Sequence, residues 1–160
     1  MAEIGTASAL VSLVTAALQS SITLYRTIKS LQNRDRLVRD LRNELQDLEY
    51  VLRTLEESIT ATAVDIKALE RPLNRCAKAC EEFNALIIEC TRHSTDDRTS
   101  KRDWLKLHYL GDDIAGFRNM LAGYKSTVVI ALAHANMYVL SLTIPAFGLP
   151  ILTDINAGLC

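Results

Sequence analysis

Between Val38 and Ile59 the apolar residues Val38, Leu41, Leu45, Leu48, Leu52, Leu55 and Ile59 recur at alternating steps of three and four. That interval is the turn of an α-helix and rules out a strand, whose faces alternate every two residues. The same steps recur in Leu69, Leu73, Cys76, Cys80, Phe83, Ile87 and Cys90. They recur again in Ile114, Phe117, Leu121, Tyr124, Val128, Ala131, Ala135 and Tyr138. Each set is a seam along one helix face, of the kind that closes against another helix. Around the first seam Arg34, Arg36, Arg39, Arg42 and Arg53 mix with Asp35, Asp40, Glu44, Asp47, Glu49, Glu56 and Glu57, which reads as a solvated face. With only six Gly and three Pro in 160 residues, the chain has few places to turn and is built of a few long helices.

The opening stretch, Ile4 to Tyr25, holds no Asp, Glu, Lys or Arg. Ser8, Ser12, Thr15, Gln19, Thr23 and Arg26 draw one mild polar stripe along a helix. Ile4, Ala7, Leu10, Val11, Val14, Ala17, Leu18, Ile22, Tyr25 and Ile28 fill the opposite side. Such a helix suits the centre of a bundle. It also suits a helix that leaves the bundle and enters a bilayer, with Ile4, Leu10, Val11, Val14, Leu18 and Ile22 as the membrane-targeting set. The recurring hydroxyls and Gln19 argue against a permanent span, and Glu3 stands where a secretion signal carries basic residues. The expectation is a soluble intracellular chain that keeps its N-terminus.

The connections are polar. Asn33 is a candidate cap for the second helix, and Thr62 with Asp65 forms a start signal for the third. Pro72 predicts either a helix starting near it or a kinked one. Residues 93–100 read as a loop, and 101–110 as a short helix burying Trp104 and Leu107. Arg98, Lys101, Arg102 and Lys106 form a small basic patch beside Trp104, suited to a lipid headgroup surface or to nucleic acid. A solvated loop with one core Trp is the competing reading, and Asp96, Asp97 and Asp103 dilute the charge. Gly111 breaks the chain and Asp112 caps the fourth long helix, in which Gly116 and Gly123 suggest close helix contacts. Pro145 and Pro150 end the helical period. Ser126 to Thr153 carries no charged residue, so Val128 to Leu152 offers itself as a membrane anchor, with His134, Asn136 and the two Pro counting against it. The expected architecture is all-α. Residues 1–142 form a bundle of four main long helices plus one short helix, and 143–160 form an irregular C-terminal tail.

At 49% hydrophobic residues the chain can build a core. A net charge of −1 and a pI near 6.3 give no field for nucleic acid. Cys76, Cys80, Cys90 and His93 superficially spell a zinc pattern. On one helix, however, Cys76 and Cys90 lie roughly 21 Å apart, too far to share an ion. His93, His108 and His134 have no nucleophile or carboxylate at catalytic spacing, and no phosphate-binding Gly-rich loop occurs. No catalytic, cofactor-binding or metal-ligating residue is expected, and no enzyme.

The opening MAEIGTASALVSLVTAALQSSITLYRTIKS, the block LERPLNRCAKACEEF and the run RTSKRDWLKLHYLGDDIAGFRNMLAGYKSTVVIALAHAN carry a family likeness. They resemble the fungal N-terminal domain of STAND proteins, named also after the N-terminus of azaphilone pigment biosynthesis cluster protein L and related to HeLo-like domains. The likeness covers about residues 1–137 and is most specific from Arg98 to Lys125. It implies a helical bundle of the kind found at the front of fungal NOD-like receptors. It also implies a non-enzymatic signalling module that oligomerises and attacks membranes with its N-terminal helix leading, in programmed cell death or heterokaryon incompatibility. The partners implied are a second copy or a related helical domain, membrane lipid, and no nucleic acid. The implied location is the cytoplasm, with recruitment to the plasma membrane. The alternative is a helix–helix adaptor with no membrane step. Within these 160 residues no nucleotide-binding or repeat pattern follows, and from Met137 the chain turns apolar where family members continue with polar residues.

Overall fold

The computed structural model describes residues 2–31, 36–61, 67–91 and 111–143, with residues 2–7 as backbone only. Four helices account for nearly all of these: α1 (Ala2–Ser30), α2 (Arg36–Ala61), α3 (Lys67–Cys90) and α4 (Gly111–Thr143). The all-α bundle of four long helices is therefore as its seams require. The short helix expected over 101–110, the caps at Asn33 and Thr62, and the tail beyond Thr143 lie outside the described residues.

Packing follows a ring. α1 lies against α2 and α3, and α4 lies against the same two, while the backbones of α1 and α4 do not approach closely, nor do those of α2 and α3. Cross-helix pairs fix the directions. Arg118 reaches Asp40 and Lys125 reaches Glu44, so α2 and α4 run parallel. Phe83 stacks on Phe117 while Tyr124 lies near Cys76 and Cys80, so α3 and α4 run antiparallel. Thr15 of α1 meets Glu56 near the end of α2, as an antiparallel pair should. The bundle is up-down-up-down.

Every residue of the α2 seam is buried, and so is every residue of the α3 seam except Cys90, half-buried at the helix end. α3 is one continuous helix through Pro72, which stands in its second turn. So near the N-terminus the missing N–H leaves only the Ala68 carbonyl without its helical donor. α4 starts at Gly111, one residue ahead of the expected cap, and carries Asp112 and Asp113 in its first turn, where the helix dipole favours negative charge.

Gly116 and Gly123 do not mark close helix contacts. Among the described residues, a Cβ added at either would meet nothing within 4 Å. Both sit exposed on α4, so their cost is conformational entropy with no packing in return. Gly116→Ala and Gly123→Ala should each stabilise the domain by about 0.5–1 kcal/mol, raising the thermal midpoint by roughly 2–4 °C apiece. A fall in either midpoint by calorimetry would show that something covers that face in solution.

Candidate functional site

The candidate membrane-targeting residues lie mostly inside. Leu10, Val14 and Leu18 belong to the core, and Val11 and Ile22 are half-buried against it. Ile4 is in the helical backbone of α1, its side chain outside the described residues. The basic patch Arg98, Lys101, Arg102 and Lys106 lies outside them as well. The buried arc of α1 is wider than one stripe, because α2 and α3 flank it on two sides. It takes in Leu24, Ser20 and Ser21, none of which the apolar spacing singled out. The polar stripe stands where its spacing put it: Ser8, Ser12, Gln19, Thr23 and Arg26 are exposed and Thr15 is half-buried.

The hydroxyls of α1 are satisfied by their own helix. Ser12 donates to the Ser8 carbonyl at 3.0 Å, Thr15 to Val11 at 2.9 Å and Thr23 to Gln19 at 2.8 Å. Buried Ser20 and Ser21 donate to Ala16 and Leu18, each at 2.9 Å, which makes their burial inexpensive. Thr27 and Ser30 do the same, at 3.1 Å to Thr23 and 2.7 Å to Thr27. From Ser12 to Ser30, α1 thus holds its Ser and Thr hydroxyls in a form that needs no water.

α4 divides in two. Up to Ala135 its seam faces inward, with Ile114, Phe117, Leu121, Val128 and Ala135 buried. Beyond Ala135 every side chain is exposed, including Met137 at 69%, Tyr138 at 60%, Leu140 at 58% and Leu142 at 61%. Two stretches, Ser8–Ser30 and Gly111–Thr143, are long and apolar enough to cross a membrane, and the most apolar part of the first is 39% buried against 11% for the second.

Polar contacts concentrate between α2 and α4. Lys125 Nζ donates to both Glu44 carboxylate oxygens at 3.0 Å and to Asp47 Oδ2 at 3.4 Å. Burial would pull the Lys125 pKa down, but hydrogen bonding and charge from Glu44, then from Asp47, outweigh it and hold it above the ordinary lysine value. Arg118 adds a looser pair to Asp40 at 3.6 Å. Part of the mixed-charge face of α2 is therefore an interhelical seam rather than a solvated surface. Nothing in the described residues groups three or more His, Cys, Asp or Glu around a possible metal position.

Cys76 and Cys80 are both buried on α3. A hydrogen bond with Cys76, and then burial, push the Cys80 thiol far above the usual range, so it stays protonated and unreactive. Thiol reagents should label Cys90, half-buried at the end of α3, well before this pair, which should react only on the timescale of unfolding. Mass-spectrometric mapping that finds Cys80 modified as fast as Cys90 in native buffer would contradict this placement.

A family model described as pigment biosynthesis cluster protein PigL N-terminal matches residues 1–146. No curated protein and no solved structure matches the chain.

Proposed function

The chain belongs to the family of the pigment biosynthesis cluster protein PigL N-terminal domain, a fungal helical domain, and from its geometry we propose that it is a non-enzymatic effector module that assembles with its own kind and targets membranes. The carrying observation is α1: uncharged from Ile4 to Tyr25, with its Ser and Thr hydroxyls from Ser12 to Ser30 bonded to its own backbone. Hydrocarbon is as apolar as a protein core, so such a helix can exchange one for the other without stranding a hydroxyl. Leaving the bundle would uncover the seams of α2 and α3 that α1 closes, and those seams are most simply closed by another copy. Release of α1 and oligomerisation are then one event, suited to programmed cell death or heterokaryon incompatibility. The domain would be cytoplasmic until recruited to the plasma membrane.

The stripe tests this without harming the core. Thr15 is unsuitable, because its hydroxyl lies 3.3 Å from Glu56 Oε1 and an Asp there would meet a like charge. Ser12 and Gln19 are exposed. Ser12→Asp with Gln19→Asp should leave melting close to wild type, yet cost roughly 2.5–3.5 kcal/mol per Asp near the middle of an inserted helix. Killing on overexpression in a fungal host should be lost. Full killing by a folded double variant would leave the adaptor reading, with no membrane step, in its place.

A further inference from the structure

We propose that the C-terminal part of α4, residues 126–143, is a bilayer-docking element that works while the bundle stays closed. This rests on the reading that the domain acts at membranes, but it assigns first contact to a different helix. α1 has its apolar arc turned inward, whereas α4 displays apolar side chains to solvent already. Val129, Ile130, Met137 and Leu140 form one outward stripe, with Ile130 and Met137 each 69% exposed. On the inward side Val139 and Leu142 carry the buried seam past Ala135, where nothing described covers it. A helix end that is apolar on both sides, with only the uncharged stripe of Thr127, His134 and Ser141 between them, suits a segment surrounded by protein or by lipid.

Two observations favour lipid over a second copy. Charge is absent from Ser126 through Thr153, whereas the rim of a protein–protein contact is polar. The hydroxyls here are also self-satisfied: Ser126 donates to Ala122 at 2.9 Å, Thr127 to Gly123 at 3.0 Å, Ser141 to Tyr138 at 2.7 Å and Thr143 to Val139 at 3.1 Å. The polar groups left are His134, Asn136 and the Tyr138 phenol, all exposed. Residues 137–143 measure roughly 10 Å along the axis, the depth to which interfacial helices enter the headgroup and acyl boundary. Tyr138 then lies where an amphipathic ring is at home, and His134 and Asn136 remain in the headgroups.

The test is flotation of the full chain with phosphatidylcholine vesicles. The wild type should float, and neither added phosphatidylserine nor raised salt should change this, because the docking surface carries no charge. Met137→Asp with Leu140→Asp, both within the inserted turns, should keep its circular dichroism and melting, while its partition coefficient falls at least about a hundred-fold. Should that pair disturb folding, Met137→Asp, at a site that touches no core, decides with an expected loss of roughly ten-fold. Folded α4 variants that float like the wild type overturn the inference and leave the membrane function standing. So do α4 variants that lose a wild-type dimer by light scattering without losing flotation, since the face would then belong to a second copy. A wild type that does not float overturns both this inference and the membrane reading.

Discussion

Val14→Asp should remove most or all of the domain's stability at 25 °C, whereas Ser12→Asp, two residues earlier on the same helix, should shift stability by no more than about 0.5 kcal/mol. Val14 is fully buried in a core of Leu, Ile, Val and Phe side chains supplied by all four helices. An Asp there loses about 1.5–3 kcal/mol of apolar burial and adds several more for an unpaired polar or charged group. Domains of this size are stable by only about 5–15 kcal/mol, so the sum removes most or all of the margin. Ser12 stands on the exposed stripe, and its hydroxyl bonds only the Ser8 carbonyl of its own helix. Urea unfolding followed by circular dichroism reads both. A Val14→Asp protein with a near-normal midpoint would mean that α1 packs through its other face.

Phe117→Ala should cost about 3–5 kcal/mol, the range for emptying a buried aromatic site. The Phe117 ring lies stacked on Phe83 with centroids 4.2 Å apart and planes within 2°. Both are buried, and they join α3 to α4, the least extensive of the four helix contacts. Losing one ring removes its burial and strands the other beside a cavity. Phe83→Ala should cost a similar amount, and the double variant less than the sum of the two, by the ~0.5–1.5 kcal/mol that stacked rings contribute beyond their area. A Phe117→Ala midpoint indistinguishable from wild type would place the ring outside the core.

How far the sequence reaches can be seen by comparing α2 with α4. Alternating steps of three and four located every buried position of the α2 seam, because α2 is covered along one face from Val38 to Ile59. The same steps carried on to Tyr138 in α4, yet that side chain is 60% exposed. Periodicity reports that a face is apolar and says nothing of whether a neighbour reaches it. For the same reason α1 read as one stripe, and Ser20, Ser21 and Leu24 went unnoticed, since a helix flanked on two sides buries a wider arc. The Lys125 contact with Glu44 depends on α2 and α4 running parallel in one register, which local patterns do not encode. Gly116 and Gly123 read as close-contact residues because spacing along one helix cannot tell an approaching backbone from open solvent. The outward stripe of α4 was legible only as missing charge between Ser126 and Thr153, and became a surface once the exposure of Ile130, Met137 and Leu140 was known.

Release of a dye trapped in phosphatidylcholine vesicles tests the central claim most directly, because it asks whether the folded domain breaches a bilayer. The account predicts release by the purified chain that rises steeply with protein concentration, since α1 leaves the bundle only as copies assemble. It also predicts that Ser12→Asp with Gln19→Asp abolishes release while the variant still floats with the vesicles. Vesicles that keep their dye at protein concentrations where the wild type is fully bound to them would contradict it.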